Sequence, residues 1–121
     1  MRNWKQAERH IARILGGRRV PVSGRQRGSP DGAPPPDIEH PALSVEVKSR
    51  YQLPRWLEDA LRQAELSAGD PLEGRLPVVV LHEDRRRYRD GLVVMRLGPF
   101  ADRVLPTISS ASLHSTKRGE Q

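Results

Sequence analysis

The chain has no cysteine, so it can build neither a disulfide framework nor a thiolate metal site. Aromatic residues are only 4% of it, too few for an extended platform on which single-stranded bases would stack. No apolar run is long enough for a membrane-spanning helix, and the opening residues MRNWKQAERH lack the apolar segment of a secretory signal. A cytosolic protein with no membrane partner is therefore expected. Lysine is nearly missing as well: three residues, Lys5, Lys48 and Lys117, stand against 18 arginines. Acids are in the minority, 15 against 21 basic residues, for a formal charge of +6. That balance points to a polyanionic partner, with solubility as the plain alternative. At 121 residues the chain is long enough for one domain with a modest core.

What is present centres on residues 36–50, PDIEHPALSVEVKSR. Leu43, Val45 and Val47 alternate with Ser44, Glu46 and Lys48, the period of a half-buried strand. Side chains at i and i+2 share a strand face, so Glu46 and Lys48 stand roughly 6–7 Å apart on one side. Upstream, Asp37 follows Pro36, and His40-Pro41 marks a turn. A hairpin there folds Asp37 back beside Glu46. Two carboxylates and one ammonium in a small patch suit a hard divalent cation with a positive charge next to it. The plain alternative is a surface ion pair. The choice of lysine at 48, in a chain that otherwise writes arginine, favours chemistry that needs a compact charge.

In chain order, Asn3 caps a helix whose stripe is Trp4, Ala7, Ile11, Ile14 and Leu15, stopped by Gly16-Gly17. Glu8 lies about 70° from the centre of that stripe, at its border, where it is either an ordinary solvated helix residue or a carboxylate that looks over the rim of a sheet into a cleft. Residues 20–22 read as a short edge strand. Residues 23–35 are rich in Gly, Pro, Ser and Arg and read as a mobile basic loop. With Arg18 and Arg19 before it and Arg25 and Arg27 within it, the loop looks like a flap that closes on phosphates. A simple disordered insertion is the alternative. Pro54 opens a second helix with Leu53, Leu57, Ala60, Leu61 and Ala64 on one face, ended by Gly69. Residues 76–81 are continuously apolar and read as a strand buried on both faces. A charged turn, HEDRRRYRDG, precedes a further strand at 92–97. Residues 100–105 read as one or two helical turns, and 106–121 as a polar, disordered tail. The strand-helix-strand step predicts a parallel neighbour. The fold class is α/β: a mixed central β-sheet flanked by helices, forming one domain over 1–105.

With these residues assembled, the chain resembles the PD-(D/E)xK nuclease superfamily, and within it the archaeal-type Holliday junction resolvases and their bacteriophage relatives. The matches are Glu8-Arg9 in the first helix, Ser23 in the loop, Asp37, and Glu46-Val47-Lys48. The phage relatives also share runs like Gly16 to Pro21 and Ser23 to Arg25. The proline-rich stretch 29–36 departs from the family pattern.

The resemblance implies a restriction-endonuclease-like core and a Mg²⁺-dependent hydrolase, with Mn²⁺ as substitute. It implies an endonuclease cutting four-way DNA junctions during DNA recombination, as a homodimer, in a prokaryotic cell or phage-infected host. No small-molecule cofactor is expected. It makes Asp37, Glu46, the Val47 carbonyl and Glu8 the metal-binding set. Lys48 orients the attacking water, and Ser23 contacts the scissile phosphate. Arg9, Arg18, Arg19, Arg25 and Arg27 position the DNA backbone, reading shape rather than sequence. Three rivals stand beside this reading: another nuclease of the superfamily acting on duplexes or flaps, a non-catalytic DNA-binding module, and a small basic structural protein.

Overall fold

A computed structural model of the protein describes residues 3–21 and 34–109. These pack as two compact units, one of residues 3–21, 34–51 and 101–109, the other Gln52–Phe100. Helices and small antiparallel sheets are mixed, an α/β composition in the coarse sense.

In the first unit, α1 spans Trp4–Leu15. The Asn3 side chain accepts a hydrogen bond from the Gln6 N–H at 3.1 Å and so caps its start. Gly16 ends it at φ 73°, the left-handed conformation that favours glycine, and its N–H donates back to Ala12 and Arg13. Strand β1, Arg18–Arg19, follows at once. Gly17 at the joint has a steric reason: a Cβ there would lie 2.5 Å from the Glu39 carbonyl oxygen and 2.8 Å from Ile38 Cγ2. The missing side chain lets the end of α1 press on β2, Ile38–Glu39. Strand β3, Ser44–Val45, completes an antiparallel sheet in the order β1-β2-β3. Ile38, opposite both Arg19 and Val45, is fully buried. Ala12, Leu15, Val20 and Leu105 are the other buried apolar side chains of this unit.

Burial on α1 falls on Glu8, Ala12 and Leu15. These sit at i, i+4 and i+7, one line along the helix. Trp4 and Ile14, both in the expected stripe, are 46% and 51% exposed. The buried face is therefore rotated from the one the sequence suggests, and Glu8 lies at its centre rather than its border. The strands are shorter than their apolar patterns. The ladder expected over 42–49 is confined to Ser44–Val45, and the one expected at 20–22 sits at Arg18–Arg19.

In the second unit, α2 spans Arg55–Ala68 with Pro54 at its start and Leu61 and Ala68 buried. Strands β4, Val79–Leu81, and β5, Leu92–Val94, pair antiparallel, Val80 opposite Val93. Helix α2 contacts β4. Arg96, just past β5, donates to both Glu58 carboxylate oxygens on α2 at 3.3 and 2.9 Å. The Glu58 hydrogen bond, and after it that of Glu65, raise the Arg96 pKa further above its usual value. Asp70 accepts from the Leu72 and Glu73 amides at 2.8 and 2.9 Å, bonds that hold its carboxyl below the ordinary range, Glu73 contributing most.

Three expectations need correction here. Residues 76–81 are not buried on both faces: Val79 and Leu81 are half-buried, but Val80 is 65% exposed and its partner Val93 66%. The helix of this unit covers one side of its hairpin. All three strand pairings among the described residues are antiparallel, so the parallel neighbour of β4 is not formed among them. The connection of residues 82–91 lets β4 pair with β5 at a smaller loop-closure cost than a partner farther along the chain would need, and this local pairing is the one formed. Finally, helical structure passes Pro106. Leu97–Pro99 opens it, Phe100–Val104 is a π turn, and residues 105–109 continue it. Pro106 lacks an N–H and its ring crowds the carbonyl four residues back, that of Asp102; the widened turn lies where that crowding falls. Residues 110–121, the rest of the expected tail, lie outside the described residues, as does most of the expected loop 23–35. Among the described residues no helix is long and apolar enough to cross a membrane.

Candidate active site

The site grows from the end of the three-stranded ladder. Pro34, Pro35 and Pro36 precede β2 and have no N–H to extend the pairing. Asp37 fills the gap in three ways. Its N–H donates to the Val45 carbonyl at 2.9 Å, one residue out of step with the Ile38–Val45 register. Its carbonyl accepts from the Val20 N–H at 2.9 Å. Its carboxylate Oδ2 accepts from the Val47 N–H at 2.7 Å, replacing the backbone partner that a proline-rich neighbour withholds. Two backbone bonds and one to its carboxylate thus fix a residue that is only 9% exposed.

A cleft of about 290 Å³ opens beside it, lined by Trp4, Glu8, Asp37, Val47, Lys48, Ser49 and Arg50. Glu8 is 3% exposed. Acidic side chains are almost never this buried without a partner or a function. Its Oε1 lies 3.5 Å from Arg19 Nε, and the Arg19 side chain is itself only 15% exposed. The Arg19 guanidinium sits 5.6 Å from the centre of the Trp4 ring, a cation–π contact. Arg19 thus contacts both Trp4 and Glu8, which line the cleft, and Lys48 lines it as an exposed side chain.

Of the residues expected at the site, Glu8, Asp37, Val47 and Lys48 come together. Glu46 does not: it is exposed and does not line the cleft. The sequence expectation carried the strand's alternation through residue 49, whereas the ladder ends at Val45. The burial alternation continues to Lys48, with Val47 half-buried and Glu46 and Lys48 exposed, but without a paired strand it does not bring Glu46 into the cleft. Among the described residues no group of three or more His, Cys, Asp or Glu side chains converges on one metal position. The cationic set is also altered. Arg18 pairs with Glu39 at 2.7 Å on the exposed side of the sheet, and Arg19 turns inward to Glu8. Arg9 is exposed on α1. Ser23, Arg25 and Arg27 lie outside the described residues. The sequence reading missed Trp4, Ser49 and Arg50 as cleft residues. Ser49 and Arg50 follow directly on Lys48, which was the available signal; Trp4 had been assigned to the core.

Chemically, two buried carboxylates in one cleft offer the hard oxygen donors that Mg²⁺ or Mn²⁺ prefers. They lack the third acid in position. A flexible ammonium at the rim supplies charge where an anionic substrate would enter. No protein-family model, curated protein or solved structure matches the chain.

Proposed function

We propose that the chain is a metal-dependent endodeoxyribonuclease of the PD-(D/E)xK type, cutting four-way DNA junctions in recombination as a homodimer. The observation that carries the proposal is the burial of Glu8 and Asp37 in one cleft with Lys48 at its mouth. A core built for stability alone would place apolar side chains at the centre of a helix's buried face. The net charge of +6 supports a polyanionic substrate.

In this reading Asp37, Glu8 and the Val47 carbonyl would hold Mg²⁺, or Mn²⁺ in its place, and Glu46, which lies outside the cleft, would have to turn in from the free end of the strand to complete the set. When bound, the ion neutralises phosphate charge and lowers the pKa of a water. The chain's own residues do the rest. The Val47 N–H bond fixes the orientation of the Asp37 carboxylate. Arg19 holds Glu8 toward the cleft. Lys48 orients the attacking water and offsets charge that develops on the phosphate. Ser23 contacts the scissile phosphate, while Arg9, Arg18, Arg25 and Arg27 track the backbone. A restriction-endonuclease-like core belongs to the same proposal, and two-fold symmetry supplies paired sites for paired cuts.

A second reading, a DNA-binding module without catalysis, is favoured by the exposed position of Glu46 outside the cleft. Incubation of a labelled four-way junction and a linear duplex of equal length with Mg²⁺ separates the two. The proposed enzyme nicks the junction and spares the duplex, and chelation stops it. Equal cutting of both assigns a duplex nuclease on the same scaffold. Retention of the junction without any cut in Mg²⁺ or Mn²⁺ overturns the enzymatic reading.

A further inference from the structure

The turn between β4 and β5 belongs to the second unit and takes no part in the cleft described above. Residues 82–90 are all exposed, yet the turn is internally braced. The Arg86 N–H donates to the Glu83 carbonyl at 3.1 Å, and His82 Nε2 meets the Arg86 carbonyl at 3.0 Å. Arg87 grips both oxygens of Asp90 at 2.9 and 3.2 Å. The short 3₁₀ turn Tyr88–Asp90 follows. The bracing presents the Tyr88 ring against His82, centroids 4.5 Å apart and planes 29° from parallel. Tyr88 is nonetheless 85% exposed, so one ring face is backed by imidazole and the other is open.

Charge alone does not choose a partner for this tip. Its four arginines face three acids, and Arg86 and Arg87 are engaged with Glu83 and Asp90. Arg85 and Arg89 make no ion pair among the described residues; both are exposed in this same turn, Arg89 next to Tyr88 in the chain. Arg85 also sits at φ 69°, the one described non-glycine residue with positive φ. Backbone strain of that kind clusters at binding and functional sites. An exposed aromatic face in a braced turn that also carries two guanidinium groups outside any ion pair is the chemistry of base stacking with phosphate contacts.

We infer that the β4–β5 hairpin tip binds unpaired DNA bases, Tyr88 stacking on a base while Arg85 and Arg89 hold the phosphates beside it. The inference shares with the proposed function only the premise that the chain meets DNA. It adds a contact specific for unpaired bases, the feature that distinguishes a branched or opened duplex from an intact one.

The test is fluorescence anisotropy with labelled oligothymidylate and a blunt duplex, in EDTA so that no cutting intervenes. Tyr88→Ala weakens oligothymidylate binding about 5- to 150-fold, the range carried by one base–aromatic stack. It leaves duplex binding within about twofold, and Tyr88→Phe behaves as wild type on both, as expected when only the ring face matters. Arg89→Gln, an exposed change far from any core, lowers the salt dependence of oligothymidylate binding by about one ion and serves if Tyr88→Ala does not fold. Wild-type binding by a folded Tyr88→Ala and by Arg89→Gln overturns the inference. Equal losses on oligothymidylate and duplex overturn it too, since they assign the tip to general charge. Tyr88-dependent binding of polyglutamate without binding of oligothymidylate assigns the tip to an acidic protein instead. Absence of Mg²⁺-dependent cleavage leaves this inference standing and removes the nuclease proposal. Cleavage with unaltered binding by both variants does the reverse.

Discussion

Glu8 is the residue whose position says most about the molecule. It sits 3% exposed beside Arg19. Removing one partner of a buried pair leaves an uncompensated charge, which costs about 3 kcal/mol. Arg19→Ala is therefore expected to lower stability, by up to about 3 kcal/mol, and Glu8→Gln added to it to restore part of the loss. Chemical denaturation of the two single variants and the double variant measures the coupling; simple additivity would contradict the pairing. Lys48 makes the opposite kind of claim, about rate rather than stability. A planar guanidinium in place of the ammonium misplaces whatever water the side chain orients, and an error of about 1 Å costs about 100-fold in rate. Lys48→Arg should fold and bind junctions normally yet lose most of its cleavage. Cleavage within about threefold of wild type, far less than misplacement predicts, would reduce Lys48 to a surface cation.

At the scale of elements, the hairpin of the second unit stores strain that a substitution can release. The Glu83-to-Arg86 turn has positive φ only at Arg85, the position that glycine fills in type II turns. Arg85→Gly removes about 1 kcal/mol of steric strain, and glycine's larger unfolded-state entropy cancels part of it. The net expectation is a melting temperature unchanged or a few degrees higher, together with weaker oligonucleotide binding. A clear loss of stability would show that the Arg85 side chain braces the turn.

The elements themselves were unevenly legible in the sequence. Helix ends were readable because Asn3, Gly16, Pro54 and Gly69 act locally, through a cap, a positive φ or a missing N–H. The phase of α1 was not. Trp4 and Ile14 carry apolar area without being covered, and the close approach at Gly17 decides which side turns in. The antiparallel placing of Asp37 next to the Val45–Val47 segment followed from the hairpin. The exclusion of Glu46 did not, because it depends on where pairing stops. Three prolines and one side-chain bond set that limit, and no periodicity encodes it.

At the scale of the whole molecule, the α/β composition was readable from alternating periods of two and 3.6. The split into two small sheets was not, since strand partners are chosen by loop length and coverage rather than by any one strand's pattern. The proposed activity needs two sites, and each chain supplies one cleft. Light scattering at micromolar concentration is expected to give twice the mass of one chain; a monomer that still makes paired cuts would contradict the dimer.

The most direct test of the central claim is Asp37→Asn, assayed for junction binding and Mg²⁺-dependent cleavage on one preparation. Asparagine keeps the shape and the acceptor oxygen that takes the Val47 N–H bond, and removes only the charge. The prediction is wild-type junction affinity, a melting temperature within a few degrees of wild type, and no detectable cleavage. Cleavage at the wild-type rate by Asp37→Asn would contradict it, since the buried carboxylate would then have no part in the chemistry.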